Sequence, residues 1–144
     1  MKKSLVITII AALAYGYLHL QGLSIPEPSS SAQDSDSALQ VAYRNQQSNL
    51  QITGHGIVVR VLPDDNIGSR HQKFIIKTST GQNLLVSHNI DLAPRVPGLK
   101  TGDTIEFSGE YEWNSKGGVI HWTHHDPKHT HEGGWLKYGG KLFQ

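Results

Sequence analysis

The sequence predicts an all-β domain in which five short strands close into a small barrel. Two observations carry this prediction: apolar and polar residues alternate in several short segments, and clusters of Gly, Pro, Asn, Asp and Ser separate those segments. Of the 144 residues, roughly 95 are left for folding once a targeting segment and a tether are subtracted. The chain therefore has room for one folded domain.

The five predicted strands share this alternation and end at turn residues. They span residues 56–62, 73–78, 83–88, 104–113 and 119–123. The turn at 79–82 predicts a hairpin of the second and third strands. Two prolines within 91–98 indicate a crossover loop before the fourth strand, and the glycine-bearing turn at 114–118 leads into the fifth.

The fourth strand has the clearest alternation, with Phe107 and Tyr111 on its apolar face and Glu110 and Glu112 on its polar face. Gly109 within it indicates a bulge or a sharp bend. Five strands with a crossover between the third and fourth are typical of an OB-like Greek-key barrel.

The N-terminus reads as a membrane-targeting segment. Lys2 and Lys3 precede an apolar, uncharged run over residues 4–20. We assign residues 1–23 to a signal peptide or an uncleaved signal anchor, and both alternatives stay open. The sequence thus predicts a cell-envelope protein, either anchored in the inner membrane and facing the periplasm or secreted to the periplasm.

The segment 24–37 is rich in proline, serine and acid, which predicts a flexible linker. The single domain then covers residues 38–144, with its core in 50–144. Asp36 and Ser37 precede residues whose spacing is compatible with one short amphipathic helix, expected to pack on the barrel as a lid.

Charge and cysteine content exclude several functions. Thirteen Lys and Arg against twelve Asp and Glu give a net charge of +1, which does not support binding to nucleic acid. The absence of cysteine excludes disulfides, thiolate–metal ligation and a lipoprotein anchor. No signature of the common hydrolase, nucleotide-binding or calcium-binding motifs occurs. The sequence leaves open whether the protein is an enzyme.

Histidine is the compositional outlier, because five of the nine histidines lie between positions 121 and 131. Imidazole and carboxylate groups in such proximity suit zinc, copper, nickel or iron. The predicted metal ligands are His121, His124, His125, Asp126 and His131. If the fifth strand continues through Thr123, His121 and His125 share a face. The alternatives are histidines that only form hydrogen bonds or face solvent, and acid–base chemistry without a metal.

A second group of polar and aromatic residues is predicted to bind a ligand at the barrel mouth. Its members are Asp64, Asp65, Arg70, His71, His88, Asn89, Asp91, Trp122 and Trp135. Paired acids beside an arginine could hold a divalent cation and a phosphate. The simpler alternative is turn chemistry with a surface ion pair. Of the other aromatic residues, Tyr111 and Trp113 are expected to fill the core.

The chain resembles a bacterial family known as DUF3465. The resemblance rests on residues 62–65, 68–72, 88–94, 109–114 and 121–127, with Gly134 and Trp135 fitting its end. It covers roughly residues 50–144 and implies no activity, cofactor or catalytic residue.

Three functions remain open. The first is an envelope module whose histidine-rich rim binds a small polar ligand or a divalent metal such as zinc. The second is a metal-dependent hydrolase, with phosphodiesters as a candidate substrate. The third is a structural domain that docks on another envelope protein through Trp135, Leu136, Tyr138 and Phe143.

Overall fold

The computed structural model describes residues 30–144, where one helix and seven strands occur. The helix α1 spans Ser30–Arg44. The strands are β1 Leu50–Val61, β2 His71–Lys77, β3 Asn83–Asn89, β4 Thr104–Glu112, β5 Val119–His121, β6 Trp135–Tyr138 and β7 Lys141–Phe143. The predicted targeting segment lies outside the described residues. Within residues 30–144, no helix is long and apolar enough to cross a membrane.

Five strands close into a barrel in the order β1-β2-β3-β5-β4, with β4 pairing back onto β1. Strands β3 and β5 are parallel, whereas the other pairs are antiparallel. The barrel closes because β1 is long: its first part pairs with β4 and its last part with β2. The predicted five-stranded barrel is confirmed.

The core lies inside this barrel. It is built from alternate residues of the strands, including the fully buried Val58, Phe74, Ile76, Leu84, Val86, Ile105, Phe107, Tyr111 and Ile120. Tyr111 thus fills the core as predicted. Trp113 is half-buried against the core, and its indole nitrogen donates a hydrogen bond to the Tyr43 carbonyl at 3.1 Å.

Strand β1 starts at Leu50, whereas the sequence predicted a start at residue 56. The prediction was wrong because Gly54, His55 and Gly56 interrupt the apolar alternation that marks a strand. Residues 50–57 form a strand because they pair with β4, and this pairing cannot be recognised from the local sequence pattern.

Helix α1 begins at Ser30, so residues 30–37 are helical and not part of a flexible linker as predicted. Tertiary contacts explain why this segment is helical. The buried carboxylate of Asp36 accepts hydrogen bonds from the backbone N–H of Ser79, at 2.8 Å, and from its hydroxyl. Leu39 and Ala42 are buried in the core. These contacts stabilise the helical conformation of a segment whose polar composition alone predicts disorder.

Strands β6 and β7 form a hairpin that the sequence did not predict. Strand β6 pairs with β4 beside the section that pairs with β5: His121 lies opposite Glu110, and Trp135 lies opposite Ser108. Residues 122–134, which we call the β5–β6 loop, therefore leave and rejoin the same edge of β4. Leu136 and Phe143 are buried, so neither is free to dock on a partner.

Candidate metal site and adjoining cleft

Three side chains of types that can bind a metal ion project from the outer face of the β4–β5 pair. Glu110 and Glu112 are two residues apart on β4 and so point to the same side of the sheet. His121 on β5 lies directly opposite Glu110 and diagonally from Glu112. Cross-strand neighbours of this kind are close enough for their side chains to interact. The site is thus carried by two hydrogen-bonded strands.

The donor atoms of Glu110, Glu112 and His121 all lie within 4.8 Å of one another. His121 Nε2 is 3.5 Å from Glu110 Oε1 and 3.7 Å from Glu112 Oε2. Two ligands about 2.1 Å from a tetrahedral ion would be roughly 3.4 Å apart. The two distances from His121 Nε2 therefore exceed those of a metal site by only a few tenths of an ångström.

His121 Nε2 is buried, and no described residue forms a hydrogen bond with it. A buried polar atom left in this state costs about 1–3 kcal/mol. The carboxylates of Glu110 and Glu112 face it at 3.5 and 3.7 Å, beyond ordinary hydrogen-bond distance. A cation between the three side chains would satisfy all of them.

His131 holds the second oxygen of the Glu110 carboxylate. Its Nε2 is 2.5 Å from Glu110 Oε2, and its Nδ1 is 2.7 Å from the Glu132 carbonyl oxygen. Burial opposes protonation of the ring, but the hydrogen bonds to Glu110 and Glu132 outweigh it and raise the pKa of His131. The ring also stacks on Trp122, with centroids 3.9 Å apart. His131 thereby orients Glu110.

Strand β5 ends at His121, whereas the sequence predicted an end at Thr123, and the β5–β6 loop begins at the next residue. Trp122 adopts a left-handed conformation with φ 54°, which turns the chain away from the strand. His121 and His125 therefore do not share a strand face as predicted, because residues 122–125 are not part of the strand. His125 is exposed, and its carbonyl accepts a hydrogen bond from His124 Nδ1 at 2.6 Å.

The Asp126 carboxylate organises the loop. Oδ1 accepts a hydrogen bond from the N–H of Lys128 at 3.0 Å, and Oδ2 accepts from the N–H and hydroxyl of Thr130 and the N–H of His131. These bonds, that of Lys128 first, hold the pKa of Asp126 far below its usual value. Of the five predicted metal ligands, the three-donor group includes His121 alone.

The second predicted group is divided among separate ion pairs. Arg70 Nε contacts Asp91 Oδ1 at 2.7 Å, whereas Asp64 pairs with Arg95. Asp65 Oδ1 accepts the backbone N–H of Ile67 at 3.0 Å. The acids and Arg70 thus have partners of their own. Trp135, half-buried, lies on β6 opposite Ser108, away from these loops in the sheet.

A cleft of about 280 Å³ lies next to His121. Its lining comprises Ser69, His71, Ser87, Asn89, Leu92, His121, Trp122 and His124. His71 on β2 and Asn89 on β3 are cross-strand partners, which places them side by side on the outer face of the barrel. The structure therefore brings members of both predicted groups into one cleft.

His88, also predicted to bind a ligand, points inward and is fully buried. Nε2 lies 3.0 Å from the Pro94 carbonyl oxygen and Nδ1 lies 2.8 Å from the Thr123 hydroxyl. Since a carbonyl can only accept, Nε2 carries the proton and Nδ1 accepts from Thr123. Burial lowers the pKa of His88, so the ring stays neutral.

We expect His88 to make the domain less stable in acid. A folded-state pKa below the unfolded value of about 6.5 gives full stability above that pH and a loss as the pH falls below it. The slope due to this residue is at most about 1.4 kcal/mol per pH unit. Urea unfolding of wild type and His88→Gln at pH 8 and 5.5 measures it. An equal slope in both proteins would contradict the assignment, and the exposed-residue variant His125→Gln serves as control.

Glu110 and Glu112 were not among the predicted ligands. The sequence placed them on the polar face of the fourth strand but did not show which residues of the fifth strand lie opposite. Their position next to His121 follows from the β4–β5 register.

Comparison with known families agrees with the resemblance of the sequence. The family described as "Protein of unknown function (DUF3465)" matches residues 22–144, which include all the described residues. No curated protein matches the chain.

Proposed function

Because the chain belongs to the DUF3465 family, whose description assigns no activity, we propose a function from the site itself: a metal-binding module of the bacterial cell envelope. The ion is a divalent transition metal held by Glu110, Glu112 and His121. The observation that carries this proposal is the convergence of three donors within 4.8 Å around a buried, unbonded imidazole nitrogen.

The donor set favours a particular class of ion. Imidazole suits zinc, copper, iron and nickel, while carboxylates extend the range to manganese. One nitrogen and two oxygens leave at least one coordination position of a tetrahedral ion for water or a small ligand. Glu112, whose side chain is 48% exposed, lies on the solvent side of the group. Exchangeable binding therefore fits this site better than a closed structural role.

The cell-envelope part of the proposal rests on Lys2, Lys3 and the apolar run over residues 4–20. A segment of this kind would deliver the domain to the outer side of the inner membrane. There the module would bind ions in the periplasm.

Zinc titration tests the proposal. We expect zinc at one hundred times its Kd to stabilise the full chain, purified in detergent without a histidine tag, by about 2.7 kcal/mol. His121→Ala, Glu110→Gln and Glu112→Gln should each remove most of this gain and weaken the binding seen by calorimetry. Manganese, copper, nickel and iron are titrated in the same way.

Two matched variants serve as controls for this experiment. Glu106→Gln changes a carboxylate on the same strand that contacts Lys137 at 3.3 Å, away from His121. His125→Ala removes an exposed histidine. Both should bind zinc like the wild type. If the ligand variants keep the full gain, or no metal binds, the proposal is wrong.

A metal-dependent hydrolase is the second candidate, favoured by the cleft that adjoins His121. When bound, the ion would lower the pKa of a coordinated water and so supply a nucleophile. Hydrolysis of bis(p-nitrophenyl) phosphate that depends on both zinc and His121 would support this candidate, and its absence would leave the module a binding protein.

A further inference from the structure

The cleft beside the metal site contains two imidazole rings whose tautomers are fixed by the backbone. His71 Nδ1 is 2.8 Å from the Ser69 carbonyl oxygen, and His124 Nδ1 is 2.6 Å from that of His125. A carbonyl can only accept, so Nδ1 of each ring carries the proton. In the neutral rings, Nε2 is left as an acceptor, and no described residue bonds to it.

Asn89 adds the complementary group. Its Oδ1 accepts the backbone N–H of Asp91 at 2.9 Å, so the side-chain NH₂ group remains a donor on the cleft side of β3. The hydroxyls of Ser69 and Ser87 can both donate and accept. The lining therefore offers acceptors, donors and two apolar surfaces, those of Leu92 and Trp122.

We propose that this cleft binds a neutral, polyhydroxylated small molecule, namely a single sugar or polyol unit. Each hydroxyl of such a ligand can donate to an imidazole Nε2 and accept from the Asn89 amide, which is the pattern that the cleft presents. Its C–H groups would contact Leu92 and the edge of Trp122. The volume of about 280 Å³ is near the lower limit of small-molecule pockets, about 300 Å³, and suits one ring rather than a chain.

The charges of the lining argue against an anion. None of the eight lining residues is Lys, Arg, Asp or Glu. The nearby guanidinium of Arg70 is paired with Asp91. Phosphate or sulfate sites normally present arginine, lysine or a series of backbone N–H groups.

The arrangement of the two rings also argues against a bare ion. His71 and His124 line the cleft but do not belong to the group of described residues whose three donor atoms converge within 4.8 Å. Rings that share a cleft without converging suit a ligand with several polar groups. The proposal does not depend on the metal, although His121 is common to both sites.

Nuclear magnetic resonance titration of the full chain tests the proposal. The protein is held in a detergent without a sugar headgroup and treated with EDTA. Glucose, N-acetylglucosamine and myo-inositol are the probes, with inorganic phosphate for comparison. We expect at least one neutral probe to bind, with shifts concentrated at Ser69, Ser87 and Asn89. Phosphate should cause weaker shifts there.

Replacing the polar groups separates recognition from general stability. His71→Leu with Asn89→Leu should weaken binding of the neutral probe at least tenfold, whereas His125→Leu should bind like the wild type. If the double variant does not fold, the wild-type shift map still decides. Shifts outside the cleft, tighter binding of phosphate, or no binding of any neutral probe would overturn the proposal. Since EDTA is present throughout, none of these outcomes depends on whether zinc binds.

Discussion

Replacing Gly134 by alanine is expected to destabilise the domain by about 3 kcal/mol or more. A Cβ at this position would lie 2.2 Å from two backbone carbonyl oxygens, those of Ser108 and Trp122. Neither can move alone, because Ser108 belongs to β4 and Trp122 directly follows β5. The N–H of Gly134 also bonds to the His124 carbonyl at 2.9 Å, which closes the β5–β6 loop. Chemical denaturation measures the change.

The neighbouring Gly133 provides a matched control for this experiment. A Cβ there would be no nearer than 3.5 Å to any neighbouring atom, which is ordinary van der Waals contact. Gly133→Ala should therefore change stability by less than about 1 kcal/mol. Equal effects of the two substitutions would show that the close approach at position 134 does not limit stability. Zinc binding by folded Gly134→Ala should persist, because all three proposed ligands lie on β4 and β5.

The barrel was predictable because its inward positions are marked by alternation. Residues such as Ile105, Phe107 and Tyr111 are buried and flanked on both sides by polar residues, so the strand could be recognised from the local sequence. The short helix that the sequence predicted is present, but its start and the first part of β1 were predicted wrongly for the opposite reason. Both segments are stabilised by residues that are distant in the sequence: Asp36 bonds to Ser79, and residues 50–57 pair with β4. A prediction from neighbouring residues cannot detect such contacts.

The candidate metal site depends on the β4–β5 register, which the predicted strand bounds did not fix. A turn at 114–118 between the predicted strands 104–113 and 119–123 would pair Trp113 with Val119 and so place His121 opposite Tyr111. In the structure Glu112 pairs with Val119, and His121 lies opposite Glu110. Because successive side chains point to opposite faces, a shift of one residue decides whether His121 meets a carboxylate or the core. Composition identified the histidines but could not supply this register.

The histidine-rich segment contains residues that belong to or contact the candidate metal site and residues that surround it. His121 belongs to a strand, so its direction is set by the sheet. His131 reaches Glu110 only because the loop returns to β4. His124 is buried against the cleft, whereas His125 and His129 are exposed. Proximity in sequence therefore indicated the region of the candidate site but not the three residues whose donor atoms converge there.

Replacing Asp126 by alanine should lower the melting temperature by roughly 5–10 °C. The substitution leaves three loop N–H groups and the Thr130 hydroxyl without their acceptor. The substitution Asp126→Asn retains one side-chain oxygen as an acceptor, so its melting temperature should fall between those of the alanine variant and the wild type. Glu132→Ala, which changes an exposed acidic residue on the same loop, should have little effect.

The acid dependence of Asp126 distinguishes this structural role from metal ligation. Its folded-state pKa lies below the usual value of 3.8, so its contribution to stability is complete above about pH 4 and is lost as the pH falls further. The difference in unfolding free energy between wild type and Asp126→Asn should accordingly shrink in acid. Zinc affinity should be affected far less by Asp126→Asn than by His121→Ala, because hydrogen bonds within the loop occupy both oxygens of Asp126. If Asp126→Asn instead abolishes zinc binding while the protein stays folded, Asp126 is a ligand, and the site is the histidine cluster that the sequence predicted rather than the pair of strands.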